Sequence, residues 1–190
     1  MDNEDAIAYY DGDDYDDDKD DRPENRPPKI PLGRRGWAFG IDFAAAWLLS
    51  SLVGGNSIVF LLAWLGLRVI LPIRNYGQSV GRYALDIKLI DDRFHKTPGF
   101  VELVKREGIT GFGAMLATIA IANLNPANGF YLLFLLPLGL DCGVAFADPI
   151  GQLAFHDRIA GTLVVGTRRG YALDLKVKKW VAIVRNRVQQ

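Results

Sequence analysis

Residues 36–73, GWAFGIDFAAAWLLSSLVGGNSIVFLLAWLGLRVILPI, decide the fold. Their only charged side chains are Asp42 and Arg68, and residues 108–147 repeat the pattern with Asp141 alone. An unbroken helix of that length would extend roughly 57–60 Å, about twice the hydrocarbon thickness of a bilayer. Each block must therefore fold back on itself. The break points are uncharged turn chemistry: GGN at residues 54–56 and NPANG at residues 125–129. Four spans follow, near residues 36–53, 57–73, 109–124 and 130–147. A soluble bundle would need a polar stripe along each helix, and runs such as FAAAWLL and FYLLFLLPLGL have none. The sequence thus predicts an all-α membrane protein, a four-transmembrane-helix bundle of two helical hairpins, with a small cytoplasmic segment and an amphipathic C-terminal helix.

Composition averaged over the 190 residues conceals this organisation: 49% hydrophobic and 23% charged would suit a soluble enzyme. Residues 1–24 hold 12 of the 22 acidic side chains against Lys19 and Arg22, so this tail is net −10 and the rest of the chain net +10. Residues 1–30 are therefore expected to be a disordered acidic cytoplasmic tail, 31–170 the membrane domain, and 171–190 a basic amphipathic tail. One cysteine, Cys142, excludes an intramolecular disulfide and any CxxC site. Lysine and arginine number six before the first span, seven from Arg74 to Arg106, and eight after the fourth, with none in the two hairpin turns. By the positive-inside rule both termini and the central segment are cytoplasmic. MDNEDAIAYY lacks a basic start and an apolar run, so the first span is expected to act as the targeting signal.

Ionisable groups inside a bilayer are costly enough to be functional candidates. Asp42 lies seven residues past Arg35, and Asp141 seven before Asp148, each about 10 Å in from the cytoplasmic side. Arg68 is at a similar depth, about 7–8 Å from its own inner end. Asp42, Arg68 and Asp141 are therefore expected to form one intramembrane cluster, with one negative charge left for a proton or cation to neutralise. A fixed salt bridge between helices is the alternative. Gly36, Gly40 and Ala44, and again Gly139, Gly143 and Ala147, repeat every four residues, a spacing that lets helix backbones approach closely. Each aspartate lies about 200° around the wheel from its neighbouring glycine. The glycines either pack inside one chain or face a second subunit. Pro137, one turn before Asp141, is expected to kink the fourth span.

Three stretches carry a family likeness. GRRGWAFGID places Arg35 seven residues before Asp42, with Ala38 between. YGQSVGRYALDIKLID contains Gly77, Gln78, Ser79, Gly81 and Arg82, and ADPIGQLAFHDRIAGTLVV contains His156, Asp157, Ala160, Gly161 and Thr162. Over about residues 31–166 the chain resembles the RDD family of bacterial membrane proteins, named for one arginine and two aspartates, here Arg35, Asp42 and Asp157. The resemblance implies a multi-pass protein of a bacterial-type inner or internal membrane and transport of unidentified small ligands or ions. Arg68 and Asp141 do not match the family pattern.

Asp157 at the membrane edge is suited to pair with Arg35 or to cap a helix, and a ring of such bridges would fasten the cytoplasmic ends together. DIKLID at residues 86–91 and TLVV at residues 162–165 have strand character and could pair. Thr97 and Pro98 resemble a helix start leading through PGFVELVKREG into the third span. Leu173, Val177, Trp180, Val181, Val184 and Val188 share one helical face in a basic C-terminal segment, with a short strand at YALDLKV as the competing reading. GQSVG at residues 77–81 fits a nucleophile-elbow pattern around Ser79, but a membrane span precedes it where a strand is required. No phosphate loop, zinc motif or dinucleotide fingerprint appears, and His95 reads as a solvated loop residue. The expectation is accordingly a non-enzyme without metal, cofactor or nucleic-acid partner, embedded in the lipid bilayer as a homo-oligomer or part of a larger membrane complex. Two functions are open: small-solute or cation transport, with or without proton coupling, through the charge cluster; or a non-transporting scaffold or assembly factor for a larger membrane complex.

Overall fold

The computed structural model describes residues 30–125, 129–148, 151–167 and 173. The acidic tail and the C-terminal amphipathic segment fall outside the described residues, apart from Leu173. α1 spans Leu32–Leu52 and ends where Gly54 and Gly55 take positive φ, 94° and 70°, a conformation that glycine adopts without penalty. Asn56 starts α2 (Ser57–Leu65) by accepting the Ile58 amide on its side chain at 2.7 Å. α2 runs through a π turn, Gly66–Ile70, into α3 (Leu71–Arg74), making one rod from Ser57–Arg74. After α4 (Val80–Ala84) and β1 (Ile87–Asp91) comes α5, Phe100–Asn123, 24 residues long. A 3₁₀ segment, Gly129–Leu135, continues as α6 (Leu136–Ala147), and α7 (Phe155–Ala160) leads to β2 (Thr162–Gly166).

β1 and β2 pair antiparallel, Ile87 opposite Gly166 and Asp91 opposite Thr162, as their strand character suggested. α5 starts after Gly99 rather than at Pro98, and it carries the amphipathic stretch into the apolar one without interruption. At Pro137 the chain does not bend within an α-helix as expected. It changes from 3₁₀ to α geometry there, placing the ring near the start of α6, where a missing amide donor costs least.

Phe60 and Trp64 of α2 fill the space between α1 and α5, packed against Ala46 and Ala114, with Phe39 and Phe43 alongside. The approach is close because Gly111 faces Trp64: a Cβ there would lie 2.6 Å from the indole. Small residues opposite large aromatics account for the interlock.

The outer surface is where the fold departs from a soluble protein. Two rods, Ser57–Arg74 and Gly129–Ala147, are long and apolar enough to cross a bilayer, with mean hydropathy 1.8 and 1.9, yet only 28% and 11% of them is buried within the chain. A soluble core helix of such hydropathy would be buried against protein; here the apolar face is left for lipid. Gly36, Gly40, Gly139 and Gly143 face outward as well, and a Cβ on any of them would meet no atom of the described residues within 4 Å. Their packing inside one chain is therefore corrected: Gly111 and Gly113 supply the close contacts with α2 and α6, while Asp42 and Asp141 point inward.

Candidate functional site

Asp42 and Arg68 meet as the sequence suggested, Arg68 Nη1 donating to Asp42 Oδ2 at 2.9 Å. The π turn that carries Arg68 inserts one residue into the helical ladder and turns its side chain inward. There the guanidinium lies 4.7 Å from the ring centroid of Trp64 and 5.7 Å from that of Phe39, so aromatic faces share in stabilising a buried cation. Asp42 also accepts from Ser79 Oγ at 2.6 Å and from the Gly81 amide at 2.7 Å. Gly81 is required for that contact: a Cβ would lie 2.0 Å from the Ala38 carbonyl oxygen. Ser79, fully buried, caps α4 and serves this carboxylate, so the GQSVG lookalike presents no accessible nucleophile.

The expected three-member cluster is corrected in its third member. Asp141 does not contact Arg68. Its Oδ1 accepts the His156 amide at 2.9 Å, and its Oδ2 lies 2.6 Å from His156 Nδ1. His156 Nε2 in turn lies 3.1 Å from Arg106 Nη2. Arginine can only donate, so Nε2 accepts and Nδ1 carries the proton, the neutral tautomer that satisfies both neighbours.

The place beside Arg68 belongs to Glu107, fully buried on α5. It accepts from Arg68 Nε at 2.6 Å, from Arg82 Nη2, and from Thr110 Oγ1 at 3.1 Å. Arg106 Nη2 lies 2.8 Å from Asp157 Oδ1, and Asp157 Oδ2 pairs with Arg35 and accepts the Ala154 amide at 3.2 Å. Asp157 thus both binds Arg35 and caps α7, uses that the sequence offered as alternatives. Arg35 also donates to the Gln152 carbonyl at 2.6 Å. Burial by itself would raise the Asp157 carboxyl, but the Arg106 and Arg35 guanidiniums and the Ala154 amide hold it below its ordinary value.

Among the described residues, the connected lattice contains four carboxylates (Asp42, Glu107, Asp141, Asp157) and four guanidiniums (Arg35, Arg68, Arg82, Arg106), with a neutral histidine. The surplus negative charge expected from three residues is therefore absent: Glu107, Arg82 and Arg106 complete the balance. The lattice joins α1, the π turn, α4, α5, α6 and α7.

Against this lattice lies a cavity of about 180 Å³, bounded by Arg35, Arg68, Arg82, Arg106 and His156 and by apolar side chains including Leu32, Phe39 and Phe146. Gly36 of α1 and Cys142 and Phe146 of α6 line it too and are exposed, so it opens outward between these two helices. Among the described residues, Arg82 Nη1 and Arg106 Nη1 are buried without a hydrogen-bond partner. Arg106 Nε comes only within 3.5 Å of Glu107 Oε1 and is likewise unbonded.

The three residues Arg35, Asp42 and Asp157, far apart in sequence, are now placed in one lattice, and a family model described as RDD family matches residues 30–161. The chain belongs to the RDD family. With the lipid-facing rods, this makes it a predominantly helical membrane protein. Comparison with curated proteins and with solved structures returned no match. Within this RDD protein Arg35 and Asp157 bind each other, whereas Asp42 is held by Arg68, Ser79 and Gly81.

Arg106 and Glu107 were not distinguished in the sequence because they sit in the charged stretch before the third apolar run. The usable signal is spacing: Leu103, Glu107, Thr110, Ala114 and Ala117 alternate by four and three along the buried face of α5.

Proposed function

We propose that the chain is a four-span membrane protein, with both termini cytoplasmic, that transports a small solute by way of the cavity beside the charge lattice. α1 and α5 supply the two further crossings. Each is long enough, with 21 and 24 residues, and their lower hydropathy comes from charges at their cytoplasmic ends and from buried lattice members. The observation that carries the reading is the cavity itself: charged groups at its base, apolar walls and an opening between α1 and α6. Because the lattice is balanced, an unpaired carboxylate cannot be what attracts the solute. A cation or proton pathway would have to operate by opening an ion pair.

The test is flux through vesicles carrying the purified protein, with Arg68→Leu and Asp42→Asn as disabled variants. Solute movement above empty vesicles that both substitutions abolish, with insertion unchanged, supports transport; equal leakage with and without protein removes it. The scaffold reading is favoured by a different observation, the four outward glycines with open space above them. It predicts stoichiometric co-purification with a larger complex and no flux.

A further inference from the structure

The guanidinium groups of the lattice have more donors than the lattice has acceptors. Each arginine carries five N–H groups in a fixed fork. Those on Arg82 Nη1, Arg106 Nη1 and Arg106 Nε find no hydrogen-bond partner among the described residues, although both side chains are nearly fully buried and both line the cavity. A buried donor on a charged group without an acceptor is costly, so something with lone pairs is called for. Among the described residues no carboxylate supplies them: Glu107 is fully engaged, and Asp157 Oδ1, itself without a hydrogen bond, already faces Arg106 Nη2 at 2.8 Å. Arg82 shares Glu107 with Arg68 and Arg106; burial and the neighbouring Arg68 push it down to about 9.

We infer that this cavity is a binding site for a phosphate-type oxoanion, bridged between Arg82 and Arg106 and entering between α1 and α6. Paired N–H groups of two arginines match the spacing of phosphate oxygens, and guanidinium favours such bidentate contacts. The site takes one charge more easily than two, because the surrounding lattice is already neutral and Asp157 stands nearby. Two sources share this chemistry, free inorganic phosphate and the phosphodiester of an anionic lipid. Apolar walls at Leu32, Phe39 and Phe146 and a mouth toward the lipid phase suit the lipid, whose chains would leave past Gly36 and Phe146. The inference rests on the proposed use of this cavity for binding, but it does not require transport.

Cys142 lines the same cavity and is the only cysteine of the chain, which gives a direct readout. The full chain, in neutral detergent, is labelled with a maleimide in sodium phosphate or sodium chloride of matched ionic strength. A second arm uses nanodiscs of zwitterionic lipid with or without phosphatidylglycerol. Ligand at ten times its Kd is expected to slow labelling about tenfold. Protection in both arms assigns the site to the oxoanion generally; protection by phosphatidylglycerol alone assigns it to the headgroup. Arg82→Gln should remove protection. Because that change also touches Glu107, Gly36→Leu serves as the second variant: a Cβ there meets open space among the described residues, the position holds no member of the lattice, and a side chain at the mouth should weaken protection by phosphatidylglycerol. Equal labelling rates in every anion and lipid overturn the inference and leave water as the occupant. Protection without vesicle flux retains the site and removes transport; flux without protection does the reverse.

Discussion

Glu107 is the residue on which three guanidiniums converge, and the balance of the lattice turns on it. Glu107→Gln keeps the shape and leaves Arg68, Arg82 and Arg106 around an uncharged amide. Removing one partner of a buried pair costs about 3–5 kcal/mol, because the remaining charge stays desolvated. Unfolding in denaturant should show that loss, and the double variant with Arg82→Gln should lose less than the sum of the two singles, a coupling of about 0.5–3 kcal/mol. Additive losses would mean that these groups do not act together. Asp157 has a pH signature of its own. Its carboxyl is held below the ordinary value, so ionised Asp157 stabilises the fold at pH above the unfolded value of about 3.9, and that contribution fades as pH falls from there through the lower folded value. Asp157→Asn should accordingly flatten the acid limb of stability below about pH 4. Charge was the legible quantity at this scale. Asp42 and Arg68 stood alone in apolar sequence and were found to touch; Asp141 stood alone too, and its partner His156 was hidden because a histidine in a polar stretch carries no such contrast. Glu107 was invisible for the same reason.

At the scale of elements, α4 is held to α1 by backbone proximity that only glycine permits. Gly81→Ala puts a methyl group 2.0 Å from the Ala38 carbonyl in the unrelaxed geometry, and neither backbone can yield without breaking the Gly81 amide contact to Asp42. α4 should detach. Limited proteolysis between α3 and β1 should become faster than in the native chain, whereas Gly36→Ala, with open space above it, should leave the pattern unchanged. The π turn offers a second test. Deleting Leu67 would restore a regular helix and rotate Arg68 by about 100° relative to α2, away from its alignment with Asp42 and Glu107. The expected loss of stability is at least that of Arg68→Leu, measured by the same denaturation. Elements were legible where turns interrupted apolar runs, at residues 54–56, and where strand character recurred, at residues 86–91 and 162–165. The π turn was not, since GLRVI has the composition of ordinary helix and its extra residue is imposed by the demand that Arg68 reach Asp42 and Glu107 together.

For the whole molecule, the distribution of small residues separates what one chain completes from what it leaves open. Gly81, Gly111 and Gly113 are consumed by internal contacts, while Gly36, Gly40, Gly139 and Gly143 line outer faces of α1 and α6. In a bilayer, helix association is driven by close packing rather than by exclusion of water, so flat glycine faces are where a second helix gains most. In the proposed four-span arrangement the rods enclose little volume, and a path for a solute would need more wall than one chain provides; an assembly through these faces would provide it. Gly40→Leu combined with Gly143→Leu should therefore leave helical content and the melting transition of the single chain nearly unchanged, because a Cβ at either position meets open space among the described residues. The particle mass in mild detergent should fall to that of one chain, and any vesicle flux should fall with it. A mass already equal to one chain before substitution would deny the assembly. Flux that survives the double substitution would instead place the solute path within a single bundle, leaving the outward glycines to serve a different protein of the membrane.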